Sequence, residues 1–143
     1  MKKTISISIF MALLTMLFSA CGMSKLKIED YEWKMRYVMH GEDNQVVVDA
    51  VGEDDIAHPE AKTISLTLSA KDGKITLFDH TNNKTYEGAY TVERKTPAGT
   101  DYKIMIDGKA GYATVAMTTY SDGTEEPTLP INLGTHSFYF YAE

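Results

Sequence analysis

The sequence predicts an all-β protein: an antiparallel up-and-down barrel of about eight strands, with a β-sandwich as the alternative. Three observations predict it. Apolar and polar residues alternate with period two through most of the chain beyond residue 30, the pattern of strands with one buried face. Turn-forming pairs, above all Asp72-Gly73, Asp107-Gly108 and Asp122-Gly123, punctuate that pattern at roughly ten-residue spacing. The links are also short, and short local links favour an up-and-down barrel over a stacked sandwich.

In the first expected strand, Tyr31, Trp33, Met35, Tyr37 and Met39 share a face, with Glu32, Lys34, Arg36 and His40 opposite. Val46 to Val51 is apolar enough to be a well-buried second strand. Ile64, Leu66 and Leu68 alternate with Thr63, Ser65, Thr67 and Ser69 in a third. Lys71-Asp72-Gly73-Lys74 is a tight hairpin turn, because Asp-Gly supplies the positive φ such turns need. Ile75 and Leu77 continue into a fourth strand, and Asn82-Asn83 is the next turn.

Tyr86, Gly88, Tyr90 and Val92 share the inner face of a fifth strand, with Glu87, Thr91 and Glu93 outside. Pro97-Ala98-Gly99 breaks the chain before Tyr102, Ile104 and Ile106 alternate in the sixth. Asp107-Gly108 turns it into a seventh, Gly111 to Tyr120. Leu129, Ile131 and Leu133 face inward, while Pro127 and Pro130 mark that stretch as an edge or an irregularity. In the last strand, Ser137 to Ala142, Phe138 and Phe140 take one face and Tyr139 and Tyr141 the other. The pattern leaves room for one short helical turn, around Asp54 to Ala61.

The N-terminus has a different character. Met1-Lys2-Lys3 is basic, Ile5 to Ala20 is an apolar run of 16 residues, and Leu17-Phe18-Ser19-Ala20-Cys21-Gly22 closes it with small residues around the only cysteine. A spanning helix needs about 20 residues, so a permanent anchor helix is the lesser reading. The arrangement resembles a bacterial lipoprotein signal peptide. The resemblance implies removal of residues 1–20, a diacylglyceryl thioether on Cys21, and residence on the extracytoplasmic face of the cell membrane. Two acyl chains hold a protein stably where one does not. The expected organisation is then a signal peptide over 1–20, the lipidated Cys21 and a short tether over 21–30, and a barrel over 31–143. Leu26 and Ile28 lie in that tether, and part of it is expected to pack on the domain. A lone cysteine leaves no disulfide within the chain and no thiolate metal set.

Removing residues 1–20 takes Lys2 and Lys3 with it. The remaining 123 residues carry 12 basic and 20 acidic side chains, a net charge of −8. Such a domain is repelled by anionic lipid and by nucleic acid, so Cys21 is the expected sole membrane contact and nucleic acid is not an expected partner.

The early Trp33, the succession of about eight strands after a lipoprotein signal, and the stretches Tyr86-Glu87-Gly88-Ala89-Tyr90, Asp107-Gly108-Lys109-Ala110-Gly111 and Tyr120-Ser121-Asp122-Gly123-Thr124 are similar to the small lipocalin-like barrels of bacterial lipoproteins. The resemblance implies a barrel able to hold one small ligand. The chain departs from the lipocalin Gly-x-Trp signature, since Tyr31 stands where Gly is expected, and no ligand specificity is carried over.

Candidate sites are few. His40, His58, His80 and His136 are 18, 22 and 56 residues apart and share no metal-ligand spacing. Gly52-Glu53-Asp54-Asp55-Ile56-Ala57-His58-Pro59-Glu60 is dense in oxygen ligands but lacks the EF-hand series, and it reads as a charged surface loop. The adjacent pairs Glu42-Asp43, Asp54-Asp55 and Glu125-Glu126 sit in expected loops, where water screens them. No Gly-x-Ser-x-Gly elbow and no phosphate-cradling loop occurs. No catalytic residue, cofactor or metal is therefore expected. Trp33, Tyr37, Tyr86, Tyr90 and Tyr102, assigned to inner faces, are the candidate ligand-binding residues. Their bulk, with Met35, Leu66, Leu68, Ile104, Phe138 and Phe140, weighs toward a filled interior. The expected function is non-catalytic binding of a small ligand by a membrane-anchored barrel. The alternative is a protein-interaction module, such as an envelope hydrolase inhibitor or accessory subunit, presenting Tyr120, Tyr139 and Tyr141 outward.

Overall fold

Among the described residues, ten strands and one 3₁₀ turn follow the alternation in chain order. The computed structural model describes residues 25–50 and 61–143. The 3₁₀ turn Ile28–Asp30 precedes β1 (Trp33–His40), β2 (Val46–Ala50), β3 (Lys62–Ile64), β4 (Leu66–Lys71) and β5 (Lys74–Asp79). These are followed by β6 (Lys84–Lys95), β7 (Gly99–Ile106), β8 (Lys109–Thr119), β9 (Glu125–Leu133) and β10 (His136–Ala142). Strands β4 to β10 pair in sequence as an antiparallel meander, and β1 closes the ring by pairing with both β10 and β4. The expected eight-stranded barrel is thus formed and closed, and the described residues are almost free of helix. The signal sequence, Cys21 and the 52–60 loop lie outside the described residues, as does most of the helical turn anticipated at 54–61.

The hairpins turn where their sequences require. Asp72-Gly73 has φ of 51° and 79°, and Asp107-Gly108 has 50° and 74°, the paired positive values of a tight two-residue β-turn. Asn83 at 50° turns β5 into β6.

Two short strands interrupt the regular barrel. β1 pairs with β4 only through Trp33 and Lys34, and beyond Arg36 it pairs instead with β2, through Tyr37, Val38 and Met39. β2 in turn pairs in parallel with β3, which Ser65 alone separates from β4. β2 is therefore a wedge between the upper half of β1 and the strand it touches below.

The core runs through the base and middle: Trp33, Met35, Leu68, Ile75, Val115, Leu129, Ile131 and Phe140 are each 0–1% exposed. Close packing sets two glycines. A Cβ on Gly88 would lie 2.4 Å from the Met105 carbonyl oxygen, and one on Gly111 would lie 2.1 Å from that of Asn132.

The inner-face assignments hold for Trp33, Met35, Leu66, Leu68, Tyr90, Tyr102, Ile104, Ile106, Leu129, Ile131 and Phe140, all buried. Two do not. A register shift between Met35 and Tyr37 inserts Arg36 as an extra residue, so Val38 turns inward at 2% exposed and Tyr37 turns outward opposite Tyr139. Val92, on the inner side of β6, is 51% exposed, because β6 runs past the end of β5, whose pairing stops at Ala89.

Candidate functional site

The five candidate aromatics separate into three places. Trp33, Tyr90 and Tyr102 meet at the base; Tyr86 stands higher inside; Tyr37 is on the outer wall.

The three base rings hold the 3₁₀ turn. That turn forms because the Lys27 N–H donates to the Asp30 carboxylate at 2.8 Å while the Asp30 N–H donates back to the Lys27 carbonyl at 3.1 Å. Ile28 points into the barrel and is fully buried. Trp33 Nε1–H donates to the Ile28 carbonyl at 2.8 Å, and the Ile28 N–H donates to the Tyr102 hydroxyl at 3.1 Å. Tyr90 donates its hydroxyl to Glu29. Thr100, itself fully buried, donates to the Leu26 carbonyl at 3.0 Å. Tyr90 and Tyr102 pack edge to face at 5.6 Å. Burial raises the pKa of both phenols, that of Tyr90 to about 12 with the help of the hydrogen bond to Glu29. The polar tips read as potential ligand contacts are thus engaged by residues 26–30 of the same chain. Sequence reasoning anticipated that Leu26 and Ile28 would pack, but not that the aromatic tips were their partners. The one available signal was an isoleucine five residues ahead of the first strand's inward-facing pair, Trp33 and Met35.

Tyr86 lies opposite Leu77 and is half-buried, with the Lys84 ammonium 4.4 Å from its ring centre. Gly88, between Tyr86 and Tyr90 on the same face of β6, and Gly111 on β8 add no side-chain volume to the inner wall.

On the outer wall, β1, β10, β9 and β8 bring a second group together. Tyr37 stacks on Tyr139 at 4.6 Å and hydrogen-bonds Tyr141. Burial and that bond push the Tyr37 phenol up to about 12. The bulged Arg36 lies 3.9 Å above the Tyr141 ring and pairs with Glu126 at 2.7 Å. The second oxygen of Glu126 accepts from Tyr120 at 2.9 Å. Tyr120, Tyr139 and Tyr141, expected outside, are therefore side by side, and Tyr37 and Arg36 join them only because of the bulge. Glu126, expected in a water-screened loop, belongs to β9 and to this network.

Shallow depressions also mark the opposite wall. One of about 200 Å³ is lined by Ala89, Thr91, Lys103 and Met105, the outward residues of β6 and β7. Among the described residues no three His, Cys, Asp or Glu side chains converge on a metal-sized site, and no helix is long and apolar enough to cross a membrane. No protein-family model, curated protein or solved structure matches the chain.

Proposed function

We propose that this chain is an extracytoplasmic lipoprotein, held to the cell membrane by a lipid on Cys21, whose barrel is a non-catalytic interaction module for another envelope protein. The observation that carries the choice of a protein over a small ligand is the allocation of the aromatic rings. Trp33, Tyr90 and Tyr102 are closed off against Ile28 and Glu29 of the same chain, whereas Tyr37, Tyr120, Tyr139, Tyr141 and Arg36 form one outer-wall cluster. Tyr and Arg are the residue types that dominate binding energy at protein interfaces.

The base clasp supports a defined presentation of that wall. With the Leu26 carbonyl held by Thr100, only five Cα steps separate Cys21 from the barrel, a reach of roughly 17 Å rather than the roughly 30 Å available to a tether free as far as Asp30. The base of the barrel would face the membrane, with its walls and mouth directed away from it.

A small-ligand reading keeps one favourable observation: β2, not β4, lies beside the upper half of β1, at the end of the barrel where Tyr86 is only half-buried. The test separates the two. A photo-crosslinking amino acid is placed in cells at Tyr139 and, as a control on the opposite wall, at Thr91. The protein-interaction reading expects a discrete adduct at 139, absent at 91 and lost when Arg36 is changed to Ala. Equal labelling at both positions overturns it, and a ligand mass on the native protein by mass spectrometry without any adduct favours the mouth. Cys21→Ser is expected to release the protein from the membrane or leave it unprocessed, and a variant that matures yet stays membrane-bound overturns the lipid anchor.

A further inference from the structure

At the rim of the mouth, β1 and β10 end on a pair of histidines. His40 and His136 stand directly opposite each other in the ladder, so both side chains leave the same face. Their rings are 5.4 Å apart between centres, with planes at 72°. The separation of 96 residues in sequence hid the pair, because ligand spacing along one element cannot reveal residues that register brings together from two.

Each ring is oriented through Nδ1. His40 Nδ1 lies 3.2 Å from Asp43 Oδ1, and that oxygen is fixed by accepting from the Gln45 N–H at 3.1 Å. His136 Nδ1 lies 3.2 Å from the Thr135 hydroxyl oxygen. With Nδ1–H as the donor in both contacts, each Nε2 carries the lone pair. Among the described residues neither Nε2 has a hydrogen-bond partner. An imidazole whose Nδ1–H is held by a carboxylate or hydroxyl while Nε2 is open is the arrangement that metal-binding histidines adopt, and the carboxylate makes the ring a better donor. The spacing fits as well. Two imidazoles bound through Nε2 at about 2.1 Å to one tetrahedral ion place their ring centres roughly 5 Å apart, close to the 5.4 Å observed.

We propose that His40 and His136 form a two-imidazole site for a divalent transition ion of the Zn²⁺ type, with Asp43 as a positioning residue. Imidazole suits Zn²⁺ and Cu²⁺ rather than Ca²⁺ or Mg²⁺. The two protein ligands leave the remaining positions of a four-coordinate ion to water or to a group on a partner. The site is independent of the outer-wall interaction surface: it sits on the inner side of the rim, and either can exist without the other.

The test uses the purified full chain and Zn²⁺ alone, read by isothermal titration and by NMR of the imidazole nitrogens. One equivalent is expected to bind, shifting Nε2 of His40 and His136 and leaving His80 unmoved. Changing either rim histidine to Gln is expected to weaken binding at least tenfold, and Asp43→Asn about tenfold, while His80→Gln changes nothing. Unchanged affinity in the His40→Gln/His136→Gln double variant overturns the site. So does Zn²⁺ binding to the unaltered chain that leaves both rim rings unshifted, a result that does not depend on any variant folding. Failure of the folded chain to bind Zn²⁺ overturns it equally.

Discussion

Replacing Tyr102 with Phe isolates the clasp that holds the N-terminal segment to the barrel. The ring is retained, so its apolar burial is nearly unchanged, and only the hydroxyl is lost. That hydroxyl is the acceptor for the Ile28 N–H at 3.1 Å, and both residues are at most 2% exposed. Water cannot reach the N–H to replace the lost partner. A buried donor left unsatisfied costs about 1–3 kcal/mol, and for a domain of this size each kcal/mol lowers Tm by roughly 3–5 °C. The expected drop is therefore roughly 3–15 °C by thermal unfolding. Hydrogen exchange gives the decisive readout. If the hydroxyl holds the turn in place, the Ile28 amide exchanges roughly 5- to 150-fold faster in the variant, the factor that 1–3 kcal/mol sets. Tyr112→Phe, at a phenol 56% exposed, is the control and is expected to change neither quantity. A Tyr102→Phe protein that loses stability while the Ile28 amide keeps its protection refutes the reasoning, because the hydroxyl would then act elsewhere. An unchanged Tm with unchanged exchange refutes it outright.

Two glycines should respond to alanine for different reasons. Gly88→Ala forces a Cβ to within 2.4 Å of a backbone oxygen that cannot withdraw and is expected to cost about 1–3 kcal/mol in denaturant unfolding, whereas Gly108→Ala meets no atom within 4 Å and carries only the penalty of φ +74°, about 1–2 kcal/mol. Asp101 is held below the usual carboxylate range by hydrogen bonds from Arg94 and then Thr114. Its contribution to stability is thus complete above the unfolded-state pKa near 4 and is lost as pH falls through the lowered value, and acid titration of unfolding should show Asp101→Asn losing part of that acid-side slope. Tyr37 is raised to about 12, chiefly by burial and then by its bond to Tyr141. Its stabilising effect is complete below pH 10 and disappears as pH rises through about 12, so Tyr37→Phe should remove one late step from the alkaline tyrosine absorbance titration.

The strands were legible because their causes are local. Alternation follows from burying one face, and Asp72-Gly73 and Asp107-Gly108 turn because their backbones reach positive φ at little cost. What was not legible is whatever depends on a partner distant in sequence. The Arg36 bulge leaves only one mark in the sequence, the apolar Val38 on the otherwise polar face of the run from Tyr31 to Met39, and that mark is read as a change of face only where the β10 register slips. One inserted residue exchanged Tyr37 for Val38 in the core and moved a candidate pocket residue into the outer cluster. The wedge of β2 is hidden for the same reason: Val46 to Ala50 reads as a strand in any case, and nothing in it says that it parts β1 from β4 above the base. The His40–His136 pair is likewise a product of register.

The bulge also explains why the outer cluster forms at this seam and not elsewhere on the barrel. β1 and β4 share only two paired residues, so closure rests mainly on the β1–β10 edge, where seven residue pairs form. An extra residue in that edge increases local twist and aims the Arg36 side chain along the outer surface. There it lies over Tyr141 and reaches Glu126 on the next strand, while Glu126 takes the Tyr120 hydroxyl one strand further on. The network therefore ties β1, β10, β9 and β8 across the point where the ring closes, and it presents its rings and charges in fixed positions. A surface whose side chains are already ordered loses little conformational entropy when a partner docks on it. The feature that closes the barrel and the feature offered as its binding face are then the same group of residues, and the wall's capacity to bind follows from how the chain solved its own closure.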